Sequence, residues 1–385
     1  MQIPSPPASP SNKVQGKVDQ NTIRRRGVGL IASDPERVTR GYLLVAPLTS
    51  NCVYLIDTNG DVAHKWTLPY RTGRHARILP NGNLAINSID PNGPRPFFFF
   101  WKYGGGIMSE LSHDGSIVRQ HRDPYAHHDA YHYGDGRILY TRMEQLSEAD
   151  SAAVQGGVPG TEADDGRVWA DVAREVDADG RVTWEWKVND HLDKHRFAVQ
   201  PHYPREHWPL INSIYPLKDG NILMSMRSIS AVIIVHRATG EVIWHLDSTV
   251  VAQQHNATEL PNGNILLFDN GAFRYRESFQ FSRVIEVDRQ TKEIVWQWRD
   301  QAPERFYSPF MGSAQRLESS GHTLVCESAF GRVFEIDEAG EVCWEWINPF
   351  FQRYSERPLL DVFGSESNAM FRAYKYMPEE IPWLR

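Results

Sequence analysis

Residues 208–271 read WPLINSIYPLKDGNILMSMRSISAVIIVHRATGEVIWHLDSTVVAQQHNATELPNGNILLFDNG. Asp219-Gly220 closes one hairpin and the apolar run Asn221 to Met226 follows it. Thr239-Gly240 closes a second, followed by a strand from Glu241 to Leu246. His255 then opens a new unit whose turn is Asn262-Gly263. Two-residue turns of this kind need positive φ, so glycine recurs at them. The stretch is one whole repeat unit and half of the next.

Aligning the turn glycines extends the repeat along the chain. One half-unit runs from a turn residue through alternating apolar positions to an aromatic or apolar end. Its copies start at Gly60, Gly115, Gly180, Gly240, Lys292 and Gly340 and end at Trp66, His121, Trp186, Leu246, Trp298 and Trp346. Trp184, Trp244, Trp296 and Trp344 add a second indole two residues earlier, on the same face of a strand and directed to a core between units. The other half-unit is a turn and an apolar strand, beginning at Gly41, Gly82, Gly136, Gly220, Gly263 and Gly321. Six four-stranded antiparallel units predict an all-β, six-bladed β-propeller. Residues 1–27, rich in Pro and Ser and then basic, read as a draped or disordered arm. The propeller is expected over 28–350, with 351–385 packing on it.

The 385 residues carry a net charge of −7, and Arg24-Arg25-Arg26 is the sole basic run, which argues against a nucleic-acid partner. No apolar stretch is long enough to span a membrane. Cys52, Cys326 and Cys343 form no close-spaced motif and suit a reducing compartment. The first residues have no apolar leader core, so the expected location is cytoplasmic, or periplasmic if a leader has been removed.

Both glycine turns of every unit fall on one face, so the long insertions gather on the other. These are 94–106, with its PFFFFW run, the acidic 144–166, 189–210 and 271–281. PFFFFW leaves three roles open: a pocket wall, packing beneath a loop, or a contact with a second copy of the chain. Strand starts lie eight residues before the first glycine of a unit. They hold His128, Asn212, His255 and Ser313, and His75 stands seven before Gly82. Strand ends bring Asn87, Arg142, Arg227, Asp269 and Glu327 to the same face. Imidazoles, guanidiniums and carboxylates around one opening predict a solvated funnel for a small anionic or aromatic molecule. The expected substrate contacts are His75, Arg142, Asn212, Asn256 and Arg274.

The stretches DPERVTRGYLLVAP and VYLIDTNGDVAHKW, the 208–271 segment, and GRVFEIDEAGEVCWEWINP with MFRAYKY resemble the arylsulfotransferase family that uses no nucleotide sulfate donor. The resemblance covers most of the chain. It implies that His255 attacks the sulfur of an aryl sulfate, that Arg227 holds the sulfuryl oxygens and that His128 assists. Where the family has a histidine before the Ile-Asn-Ser motif, this chain has Leu210. His202, Tyr203 or His207 stand just upstream as replacements.

Three functions follow as alternatives. The first is sulfuryl or related group transfer, with His255 as nucleophile, Arg227 as oxyanion clamp and His128 or His207 as acid and base. The second is a metal-assisted lyase or hydrolase with a divalent ion on His128, His202, His207 and His255, and Tyr203 as base. The third is a propeller that binds without turnover.

Overall fold

The computed structural model describes residues 27–384; the side chain of His75 and the first 26 residues lie outside the described set, so the expected arm does as well. Six antiparallel blades with four core strands each form, two of them with an added fifth strand, and the core strands run in sequential order apart from one permutation. Blade two comprises Thr72–Ile78, Leu84–Ile89, Gly106–Leu111 and Ile117–Arg122. Blades three, four, five and six begin at Ala126–His132, Ile211–Pro216, His255–Glu259 and Ser313–Arg316. The innermost strands touch one another in succession around the axis, giving a closed six-bladed propeller.

The permutation lies in blade one. Its innermost strand is Met370–Tyr376, paired with Tyr42–Pro47, which is followed by Cys52–Ile56 and Val62–Thr67. The segment 351–385 therefore enters the ring. Gly29–Ser33 pairs with Val342–Ile347 as an outermost fifth strand of blade six. Gly41 opens a strand rather than closing a hairpin. A Cβ there would meet the Tyr376 carbonyl oxygen at 2.5 Å, and this close approach explains the glycine.

The turns after each third strand have positive φ at Gly60, Gly115, Gly180, Gly240 and Gly340, and Lys292 takes the same conformation at φ 64°. Indoles of the outer strands fill the gaps between blades. Trp66, Trp186, Trp298 and Trp344 donate to the carbonyls of Ser112, Gly240, Gly340 and Thr58 in the next blade's turn, at 2.9–3.0 Å. Each large ring thus buries its surface and satisfies its N–H across the same seam.

Ring closure has its own polar lock. Glu335, fully buried in blade six, accepts from Lys375 Nζ of the C-terminal strand at 2.7 Å, from His322 Nδ1 at 2.7 Å, and from Thr39 N and Oγ1 at 2.9 and 2.6 Å. Burial pushes this carboxyl up, but His322, Lys375 and Thr39 more than offset that and hold it at about 2 rather than 4.5. Its contribution to stability is complete above about pH 4.5 and is lost as pH falls through about 2. Glu335→Gln leaves Lys375 buried without its anion. We expect a denaturant melt to show a loss of about 3–5 kcal/mol at neutral pH, shrinking in acid over that window. An unchanged melt would show that closure does not depend on this carboxylate.

Candidate functional site

The face opposite the glycine turns holds a cavity of about 400 Å³. The structure brings six expected residues to its wall: His128, His202, Tyr203, His207, Arg227 and His255. They come from blades three, four and five and from the 189–210 connection. The strand starts lose register with their neighbours here, between Tyr140 and Thr141 opposite blade three's first strand and between His255 and Thr258 in blade five. His128 and Asn256 sit at φ 40° and 52° in these irregular stretches. Such bulges re-aim side chains, in this case toward the axis.

His255 is held on both ring nitrogens. Nδ1 donates to the Gln253 carbonyl at 3.0 Å and to Asn270 Oδ1 at 2.8 Å. Asn270 spends its amide protons on the carbonyls of Ser308 and Met311, which fixes Oδ1 as the acceptor. The proton of His255 therefore sits on Nδ1 and the lone pair on Nε2. That lone pair takes the Met311 N–H at 3.2 Å. Burial, then the Arg227 charge, drives the ring well below its ordinary pKa, so it is neutral at physiological pH. Arg227 donates from Nε to Gln253 Oε1 at 3.2 Å and lies 5.3 Å from the Tyr203 ring.

A second chain of polar groups ends at His128. Asp171 Oδ1 accepts from His207 Nε2 at 2.7 Å, and His127 Nε2 lies 2.8 Å from the same oxygen, off the axis of its N–H. Asp171 Oδ2 takes the Ile211 N–H at 2.6 Å. With their Nε2 protons on the carboxylate side, His207 donating and His127 off axis, both rings present Nδ1 as an acceptor. His207 Nδ1 takes the Tyr103 hydroxyl at 3.0 Å, and His127 Nδ1 takes His128 Nδ1–H at 2.9 Å. His128 is left with its lone pair on Nε2, which makes no hydrogen bond among the described residues. Burial and then Arg74 hold its pKa well below the usual value. Burial raises the pKa of Asp171, but His207 and His127 more than offset this, to about 2.

The four imidazoles expected to share an ion all line the cavity, but no three of them bring ligand atoms within 4.8 Å of one another. Only His207 belongs to a potential ligand group, with His127 and Asp171, whose atoms lie within 4.8 Å of one another. The 2.7 Å separation of His207 and Asp171 is that of a hydrogen bond, and with His127 Nε2 only 2.8 Å from the same oxygen the groups stand closer than ligands on a tetrahedral zinc with ~2.0 Å bonds. His202 accepts from Gln253 Nε2 at 2.6 Å and stacks on Phe273 at 3.7 Å. A second group, His322, Glu335 and Cys343, is the closure lock described above.

Four expected substrate contacts lie elsewhere. Arg142 pairs with Asp123 at 2.8 Å, and Arg274 pairs with Asp269 at 2.8 Å. Asn212 donates to the Gln254 carbonyl at 2.7 Å, and Asn256 joins Tyr374 and Ala314, so both amides knot neighbouring blades together. Asp269 and Glu327 are likewise neutralised by Arg283 and Arg332 of their own blades. His75 lies on blade two's first strand, with its side chain outside the described set. The acidic 144–166 loop supplies nothing to the cavity wall; Gly156–Val158 pairs with Val199–Pro204 and braces His202 and Tyr203 from behind.

Sequence reasoning missed Arg74, Lys102, Tyr103, Glu206 and Phe371 on the wall. Arg74 was within reach of it, since it stands eight residues before Gly82, as His128 does before Gly136 and His255 before Gly263. Phe371 forms the floor, its ring 6.0 Å from His128 and 6.1 Å from His255. It comes from the C-terminal strand, whose entry into the ring the spacing did not show. Among the PFFFFW residues, Phe97 and Phe100 pack under the insertion and Phe99 lines the cavity.

A solved structure of a protein of unknown function from Bacteroides caccae matches with TM-score 0.54 at 14% identity, covering 88% of this chain and 99% of that one. A streptogramin B lyase matches with TM-score 0.45 at 10% identity, over 83% and 82% of the two chains. A virginiamycin B lyase from Staphylococcus aureus gives 0.44 at 9%, over 84% and 85%. No curated protein matches the sequence significantly. The arylsulfotransferase (ASST) family does match, across residues 91–349, which include every blade from the third to the sixth and all four histidines of the cavity wall. That is well over half of the chain, and the protein belongs to the arylsulfotransferase family.

Proposed function

We propose that this arylsulfotransferase-like enzyme transfers a sulfuryl group from an aryl sulfate to an acceptor hydroxyl by way of His255. The observation that carries the reading is the state of that ring: neutral, its proton locked on Nδ1 and its lone pair on Nε2, beside the Arg227 guanidinium on one cavity wall. A neutral imidazole of fixed tautomer is a competent nucleophile, and a planar guanidinium matches the oxygens of a sulfuryl group.

In the first half-reaction Nε2 forms a bond to sulfur as the bond from sulfur to the aryl oxygen breaks. The phenolate leaves with that electron pair and takes a proton from water on release. Attack requires the long Met311 N–H bond to Nε2 to open. The freed amide then stands beside the sulfuryl oxygens as a further donor. In the second half-reaction the acceptor hydroxyl gives its proton to His128 Nε2 while its oxygen attacks sulfur, and the N–S bond breaks. Asp171 and His127 hold His128 in the tautomer that this role needs. His207 has both nitrogens committed, to Asp171 and Tyr103, so it supports the wall and does not replace the histidine absent at Leu210.

With 4-nitrophenyl sulfate as donor and a phenol as acceptor, we expect parallel-line kinetics. His255→Ala should lower kcat/KM by at least about 1,000-fold, and Arg227→Met by about 100-fold or more. Wild-type turnover in His255→Ala would contradict the proposal.

The tautomers can be read without any substrate. In protein labelled with nitrogen-15 at histidine, His255 and His128 should each show a protonated Nδ1 and a bare Nε2 at neutral pH, and should titrate well below an ordinary histidine. Asp171→Leu should disturb His128 and leave His255 unchanged. Titration of His255 near its ordinary value would remove the basis for a neutral nucleophile.

A further inference from the structure

Arg74 is 3% exposed, yet among the described residues it has no hydrogen bond and no ion pair, and its Nε is buried without a partner. Its guanidinium lies 5.3 Å from the Phe371 ring and 5.7 Å from that of Tyr103, with no carboxylate against it. Burial pulls its pKa down to about 9, which leaves it charged at neutral pH. An arginine buried without an anion is costly, and this one stands on the cavity wall.

The rest of the lining deepens the imbalance. Arg227 and Lys102 are also cations on this wall, and neither is in an ion pair among the described residues. Lys102, lowered by burial to about 8, lies over the rings of Phe310 and Phe363. The acid on the wall is Glu206, which burial raises to about 7, so it is only half ionised at neutrality. A sulfate monoester brings one negative charge to three cations.

The cations are also apart in kind of neighbour. Arg227 is the main charge acting on His255, while Arg74 is the main charge acting on His128. The two histidines flank Phe371 at nearly equal distances. Phe371 thus lies against both histidines and, at 5.3 Å, against the Arg74 guanidinium. Resting on the sulfuryl-transfer reading for the Arg227 end, we propose that the donor is a two-ended dianion, an aryl sulfate carrying a carboxylate, and that Arg74 receives the carboxylate while the aryl ring spans Phe371. Arg74 is then a specificity determinant for the donor.

The test is binding by calorimetry at pH 7, with no turnover required. The probes are 4-carboxyphenyl sulfate, phenyl sulfate and phenyl phosphate. Wild-type protein should bind 4-carboxyphenyl sulfate at least about tenfold more tightly than phenyl sulfate. Arg74→Met, which keeps the side-chain length and removes a buried charge, should abolish that preference and change phenyl sulfate binding less than about threefold. Arg74→Lys should restore part of it. Equal affinity of wild type for the two sulfates would overturn the proposal. So would an Arg74→Met variant that weakens both equally, or phenyl phosphate binding more tightly than 4-carboxyphenyl sulfate, since Arg74 would then share one anion with Arg227. A protein that shows the binding preference but transfers no sulfuryl group would keep this proposal and sink the catalytic one.

Discussion

The carboxylate of Glu335 joins Lys375, His322 and Thr39 in one buried lock, and so ties the two ends of the chain to the blade formed between them. Everything at the cavity depends on that union. Met370–Tyr376 is the innermost strand of blade one, and it carries Phe371, the floor between His128 and His255. Its next residue, Arg372, pairs with Asp129 at 2.9 Å and donates to the Asn212 carbonyl at 2.8 Å, which binds the same strand to blades three and four. An open ring would leave the cavity-lining side chains on separate sheets with no common wall.

Burial does the chemical tuning. Both His128 and His255 are neutral mainly because charge is disfavoured where they sit, and neighbouring cations reinforce this. Hydrogen bonding then decides which nitrogen carries the proton. Asn270 and a backbone carbonyl set His255; a carboxylate acting through one intervening imidazole, His127, sets His128. The two rings reach the same tautomer by different supports, which suits a pair with different tasks.

The repeat was legible because β-hairpins demand glycine or a tolerant residue at fixed points, and because strands alternate their faces. Lys292 shows the tolerance: it occupies a glycine position at positive φ and the alignment still found it. The meeting of His255, Arg227 and His128 at one cavity was legible for a related reason, since strand starts and ends recur at set distances from those turns. The spacing failed where an element is supplied from afar. Nothing near Gly41 says that residues 370–376 will lie beside it. Asp171 was also invisible, being a mid-strand residue whose partners come from two other segments. Arg142 and Arg274 were misplaced because charge alone does not show which arginines meet a carboxylate of their own blade. Arg74 obeys the eight-residue spacing, but its neighbour His75 offers the same unit a second titratable group one residue out of step.

On the proposed mechanism a sulfuryl group rests on Nε2 of His255 between donor and acceptor. The most direct measurement is rapid quench of the enzyme with sulfur-35-labelled aryl sulfate in the absence of acceptor, followed by peptide mapping under alkaline conditions. The account predicts near-stoichiometric, acid-labile label on the peptide containing His255, discharged when a phenol is added. Product release without label on the protein, or label on any other residue, would contradict it.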